Sequence, residues 1–213
     1  MNLKKVVQIF LFVSMVMFAR EAFCDPINYH KLLPGMPFSY FDLRDLHGQH
    51  WVSTYLRGRP IILLTAHRDM RYEVLKWADA LKREFSDAGL AHVLWVVNLR
   101  RFPWNTGRKT IHNQWLTFSP PVPVLLDWHG NIGKSLRIDY SLPNIIAIDA
   151  DGRFAFHQTF PYSPTAHAGI SSQIRMLVPP GYTPQAAAAA GISGSPIPPV
   201  LPLMAPGSKG FSY

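Results

Sequence analysis

The pattern of apolar and polar positions divides most of this chain into short segments of recognisable period. Phe38 to Leu46 and His50 to Leu56 alternate with a period of two, as half-buried strands do, and Gly48 between them predicts a hairpin. Ile61 to Thr65 and Val93 to Leu99 are almost wholly apolar, as strands covered on both faces are. Between them Val74, Ala78, Leu81 and Phe85 recur at helical spacing and share one face. Asp69 stands where an N-cap would, and Gly89 where the helix would stop. Thr110 to Phe118 reads as a shorter helix turning Ile111 and Trp115 inward, and Val124 to Leu126 as a further strand.

The stretch Asp139 to Gly152, DYSLPNIIAIDADG, organises the second half. Ile145 to Ile148 is a branched apolar run bounded by turn chemistry, and Asp151-Gly152 predicts a tight hairpin into a return strand carrying Phe154 and Phe156. Pro143 cannot donate to a sheet ladder, so it belongs at the start of its strand. An X-Pro bond is also the common place for a cis peptide, which at Leu142–Pro143 would splay an exposed loop. Ser163-Pro164 starts a last helix with Ile170, Ile174 and Leu177 inward. Strands alternating with helices and closing on an antiparallel hairpin predict a mixed α/β sheet.

The segment around Pro143 resembles the cis-proline loop and following hairpin of the thioredoxin superfamily, in particular its redoxin branch (TlpA-like and AhpC/TSA-like proteins). Phe41-Asp42-Leu43-Arg44-Asp45-Leu46-His47-Gly48 is similar to that branch's opening hairpin. Leu56-Arg57-Gly58-Arg59-Pro60 with Ile61 to Leu64 is similar to its turn and first core strand, and Pro123 to Asp127 with His129-Gly130 to a later strand. The match runs from Leu33 to Leu177. It implies a thioredoxin-like mixed sheet with helices on both faces and an N-terminal β-hairpin extension, to which composition adds a disordered C-terminal tail.

Composition adds the flanks. Lys4 and Lys5, the apolar run Val6 to Ala19, and Ala22-Phe23-Cys24 before Asp25 read as a cleaved secretory signal over residues 1–24. The run is shorter than the roughly 20 residues that cross a bilayer. The chain is thus expected in the periplasm or secreted, with no transmembrane span after cleavage. Acylation of Cys24 is disfavoured, because Glu21-Ala22-Phe23 is a poor approach to a lipidated cysteine. Residues 25–37 form an irregular lead-in, 38–177 the thioredoxin-like domain, and 178–213 an Ala-, Pro- and Gly-rich tail with too few packable residues to offset ordering entropy. Within that tail IPPVLPLM, Ile197 to Met204, is apolar enough to dock. The net charge of +8 suits an anionic partner or plain solubility, and no run has the density of a nucleic-acid arm.

The chemistry is bounded by sulfur. The chain has 1 cysteine, Cys24, at the expected cleavage point. The resemblance places a redox thiol at the amino end of the first helix, where helix dipole and orphan N–H groups lower its pKa. Here that window reads Ala66-His67-Arg68-Asp69-Met70-Arg71-Tyr72-Glu73. Without a thiolate there is no mixed disulfide and no sulfenic acid. His67 with Asp69 could be a base and its orienter, but a capping Asp and a loop His account for them as well, and no nucleophile stands beside them. Among 9 histidines His47 and His50 are the close pair, short of the ligand set a metal needs. No catalytic, cofactor-binding or metal residue is assigned, and no cofactor is expected. What remains is a rim of loops bearing Arg68, Arg71, Arg100, Arg101, Trp104, Arg108 and Pro143, suited to a protein or peptide partner rich in carboxylates or extended in form. Two readings stay open: a binding or structural component of the cell envelope without redox cysteines, and a redoxin-type enzyme working without a CxxC.

Overall fold

The structure is a computed structural model that describes residues 32–100, 107–136 and 138–184, with the backbone alone at Arg68, Arg108 and Ser135. Hairpin strands β1 (Asp42–Asp45) and β2 (His50–Val52) precede three parallel strands, β3 (Ile61–Thr65), β4 (His92–Asn98) and β5 (Val124–Asp127). Strand β6 (Asn144–Ile148) pairs antiparallel with β3, and β7 (Phe154–Thr159) pairs antiparallel with β6 to close the sheet. The order is β2-β1-β5-β4-β3-β6-β7, one 7-stranded sheet. Helix α1 (Arg71–Leu81) runs into a π-helical turn (Lys82–Ser86), followed along the chain by α2 (Arg108–Phe118), α3 (Asn131–Ser135) and α4 (Pro164–Leu177).

The fully apolar strands divide their side chains between two cores. Ile62, Leu64, Val93, Trp95, Ile145 and Ala147 face α1, α2 and α4, where Trp77, Phe85, Ile111, Trp115 and Ile174 complete the packing. Ile61, Leu63, Leu94, Val96, Ile146 and Ile148 face Phe41, Trp51, Leu56 and α3. Each large apolar side chain so buried contributes about 1.5–3 kcal/mol, which makes two filled faces the main source of stability. The expected thioredoxin-like mixed sheet with an N-terminal hairpin is what the chain forms.

Four local readings are corrected. The opening strand starts at Asp42, not Phe38, because Phe38 N donates to Gly152 O and Gly35 N to Phe154 O, tying the lead-in to the β6–β7 hairpin instead. Ser53–Leu56 is a 3₁₀ turn that drops Leu56 into the core, so β2 is three residues and not a strand to Leu56. Met70, not Asp69, occupies the N-cap of α1, and Asp69 turns to His67 instead. Leu142–Pro143 is trans, since no cis peptide occurs among the described residues, and Pro143 is buried instead of standing in an exposed loop. Helix α3 was not foreseen. It forms because the buried Asp127 carboxylate accepts from Asn131 N at 3.1 Å and Ile132 N at 3.0 Å, capping a turn too short to show a period.

Beyond α4 the chain continues to Pro184, which lies against Gly89: a Cβ at Gly89 would come within 2.9 Å of Pro184 Cγ. Gly89 also has φ +68°, a conformation that favours glycine. The expected signal segment 1–24 and the tail from 185 onward lie outside the described residues. No helix among the described residues is long and apolar enough to cross a membrane.

Candidate functional site

The carboxyl ends of β3, β4 and β5 and the amino end of β6 meet on one rim, the end at which open α/β sheets bind ligands. After Thr65 the chain passes through Ala66 and His67 into a 3₁₀ turn (Arg68–Met70) and then α1. His67 N donates to Tyr140 O at 2.7 Å, anchoring this turn to the loop before β6. No sulfur of cysteine stands here. His67 Nδ1 lies 3.1 Å from Asp69 Oδ2, with both side chains more than half exposed. An exposed pair without a nucleophile beside it has neither the geometry nor the dry surroundings of a general base.

Behind that turn the loop is fixed by Asn144, whose side chain is 0% exposed. Its Nδ2 donates to Asp139 O and Leu142 O, each at 2.7 Å, and to Thr65 O at 3.3 Å. Its Oδ1 accepts from His157 Nε2 at 2.8 Å and Thr159 Oγ1 at 3.3 Å. Burial holds the His157 imidazole below its ordinary pKa, which suits a neutral ring. Beside this network Thr65 Oγ1 is buried with no hydrogen-bond partner among the described residues.

A groove of about 720 Å³ opens where the amino end of α1 meets the last turns of α2, bounded by Asp69, Arg71, Tyr72, Gln114, Trp115 and Phe118 among others. Tyr72 and Phe118 meet edge to face at 5.9 Å, and the Arg71 guanidinium lies 5.0 Å from the Tyr72 ring centre and 5.7 Å from that of Phe118. Such contacts are worth about 0.5–1 kcal/mol at exposed sites. Phe118 continues inward to Trp95 and Trp115, each at 5.9 Å, so the groove floor is an outcrop of the core. α2 stops there because Ser119 adopts φ 47°, and a cation at its carboxyl end suits the helix dipole.

The residues of the expected basic rim that the structure describes can be placed one by one. Arg71 belongs to the groove. Arg100 sits on the other side of the sheet end, its Cβ close to Gly130 in the turn that leads to α3, while Asn98 Oδ1 accepts from Arg100 N at 3.0 Å. Arg68 lies in the 3₁₀ turn and Arg108 opens α2, both by backbone position alone. Arg101 and Trp104 lie outside the described residues, and Pro143 is buried. Sequence reading missed Tyr72, Gln114 and Phe118. The signal for Phe118 was present, since Ile111, Trp115 and Phe118 follow helical spacing and the last of them overshoots the core.

Away from the groove, two histidines pair with charged neighbours. His92, buried at the start of β4, accepts at Nε2 from Arg59 Nε at 2.8 Å, and burial together with that guanidinium pushes its pKa down to about 3. His50 Nδ1 pairs with Asp42 Oδ1 at 2.9 Å across the hairpin. No three His, Cys, Asp or Glu converge on a metal position among the described residues.

No protein-family model and no curated protein matches this sequence. Solved structures do. A Bacteroides thetaiotaomicron protein named for disulfide isomerase chemistry is 16% identical at TM-score 0.54, over 76% of this chain and 96% of its own. The exposed lipoprotein thioredoxin of Streptococcus pneumoniae is 20% identical at TM-score 0.53, over 65% and 100%. A thioredoxin-family thiol:disulfide interchange protein from Chlorobium tepidum is 18% identical at TM-score 0.50, over 70% and 99%. At these identities the likeness is one of fold, and the fold is thioredoxin-like.

Proposed function

We propose that this chain is an exported thioredoxin-fold protein that works by binding a protein or peptide partner in the cell envelope, without thiol redox chemistry. The observation that carries the proposal is a substitution of chemistry at one place. At the amino end of α1, where a thioredoxin-type thiol would be activated, the chain instead presents Arg71 stacked on Tyr72 and Phe118 over an open groove. Aromatic rings beside an arginine fork are the side chains that dominate protein recognition. The relative named as an exposed lipoprotein, together with the apolar leader of this sequence, supports an extracytoplasmic site of action.

The test has two arms. In the first, the mature protein is assayed for insulin reduction, with peroxide consumption alongside, and is expected to remain at background. Turnover in either assay would sink the redox-free reading and favour the enzyme alternative. In the second, partners are captured from envelope extract with the native chain, Arg71→Glu, Phe118→Ala and Arg100→Glu. Capture is expected to fall with the first two variants and to persist with the third. A partner lost with Arg100→Glu alone would move the site to the α3 side of the rim.

A further inference from the structure

The groove has the makings of a polyproline site, and this chain carries a proline segment of matching period. Pro196, Pro199 and Pro202 recur at every third residue, with Ile197, Pro198, Val200, Leu201, Leu203 and Met204 around them. A polyproline II helix has three residues per turn, so in that conformation three rings at this spacing would share one edge. Such a helix makes no internal hydrogen bonds and leaves its carbonyls bare, and aromatic-lined grooves recognise it by stacking against its rings. Tyr72 is 59% exposed and Phe118 forms the neighbouring wall. Arg71 and Gln114 bring N–H donors to the same groove and could serve those carbonyls.

The attachment of the segment permits the contact. The described chain ends with Pro184 against Gly89, at the far end of the helix that begins at Arg71. Gly89 lies 17 residues beyond Tyr72, past α1 and its π-helical turn, a span of at most about 25 Å. The twelve residues from Pro184 to Pro196 reach roughly 40 Å when extended. A tether of that kind supplies an effective concentration in about the millimolar range, so modest affinity suffices for occupancy.

We infer that residues 196–204 occupy the Tyr72–Phe118 groove of their own chain, as an intramolecular occupant that an external partner must displace. This rests on the reading of the groove as a binding surface and adds what covers it.

The test uses the full chain with Thr117→benzoylphenylalanine at the groove edge, irradiated as an equal mixture of unlabelled and ¹⁵N-labelled protein. The expected crosslinks join position 117 to residues 196–204 in peptides of unmixed isotope composition. Mixed pairs would assign the segment to a second copy, and crosslinks to other regions or none at all would leave the groove without it; either result overturns the inference. Replacing the three spaced prolines in the same chain (Pro196→Ala, Pro199→Ala, Pro202→Ala) loosens the segment without touching the described fold, and crosslink yield is expected to drop about fivefold or more. An unchanged yield overturns the inference as well. Because no extract is involved, partner capture that depends on Arg71 can succeed while this contact fails, so the two proposals fall separately.

Discussion

Ser171 Oγ on α4 donates to Glu84 Oε2 at 2.7 Å, and Arg175 Nη2, one turn further along, holds the other carboxylate oxygen at 2.7 Å. His167 Nε2 stands 3.2 Å from the same carboxylate. Three residues at successive turns of one helix therefore converge on the π-helical turn at the end of α1. The grouping contains a serine, a histidine and a glutamate, yet the serine proton goes to the carboxylate and the imidazole presents one nitrogen to both. That is the wiring of a brace between helices, not of a nucleophile and its base.

Burial pushes the Glu84 carboxyl up, but the Ser171 bond and the Arg175 charge outweigh it and hold the pKa below the ordinary value of 4.5. A depressed carboxylate contributes stability that is present above its unfolded pKa and is lost as pH falls through the folded one. Glu84→Gln is expected to lower stability by about 1–2 kcal/mol at pH 7. It should also flatten the loss of stability below pH 4.5. Urea melts at pH 7 and pH 4 read both effects, and a variant as stable as the native chain at neutral pH would refute the brace.

His92 acts in a higher window. Its neutral form is favoured in the fold, so stability is full above the unfolded value of 6.5 and declines as pH drops toward about 3. By pH 5 the deficit from this one residue reaches about 2 kcal/mol. His92→Gln keeps an acceptor for Arg59 and removes the titration. Its unfolding free energy is expected to change less between pH 7 and 5 than that of the native chain, and equal slopes would show that the ring is not neutral in the fold.

A methyl group at Gly133 would collide with Tyr140 Oη, which is held by Asn98 Nδ2 at 2.7 Å. Gly133→Ala is expected to cost about 1–3 kcal/mol through displacement of that ring. Tyr140→Phe removes the colliding atom, so the double variant should be less destabilised than the two single changes added together. Additive costs in a thermal-melt cycle would contradict the contact.

Thr65 offers a gain. Its hydroxyl is buried and unmatched, which costs desolvation with nothing in return. Thr65→Val keeps the shape and β-branch, and is expected to raise stability by about 1 kcal/mol. A fall of that size would indicate that the hydroxyl has a partner in solution.

The central scaffold was legible because its signals are local. Ile61–Thr65, the run to Ile148 and the Asp149–Gly152 turn each announce themselves within a few residues, and the helix face of Val74, Ala78 and Leu81 repeats long enough to be counted. Chain order then gave the fold. The groove was not legible, since Tyr72 and Phe118 meet only because α2 ends against the start of α1. Likewise no local pattern records that Arg71 borders the groove while the Arg100 Cβ lies near Gly130, in the turn that leads to α3. Asp69 failed as a cap for a related reason: its carboxylate turns to His67 Nδ1, 3.1 Å away.

Asn144 spends its amide protons on three carbonyls and its oxygen on two donors, joining the ends of β3, β6 and β7 to the loop before them. This cross-tie is made of amide, imidazole and hydroxyl groups, none of which responds to glutathione or to oxidants of the kind that set a disulfide. The shape at this end of the sheet is therefore indifferent to the electron supply of its compartment. Polypeptide produced in a reducing cytosol should be held there as firmly as polypeptide folded outside the membrane.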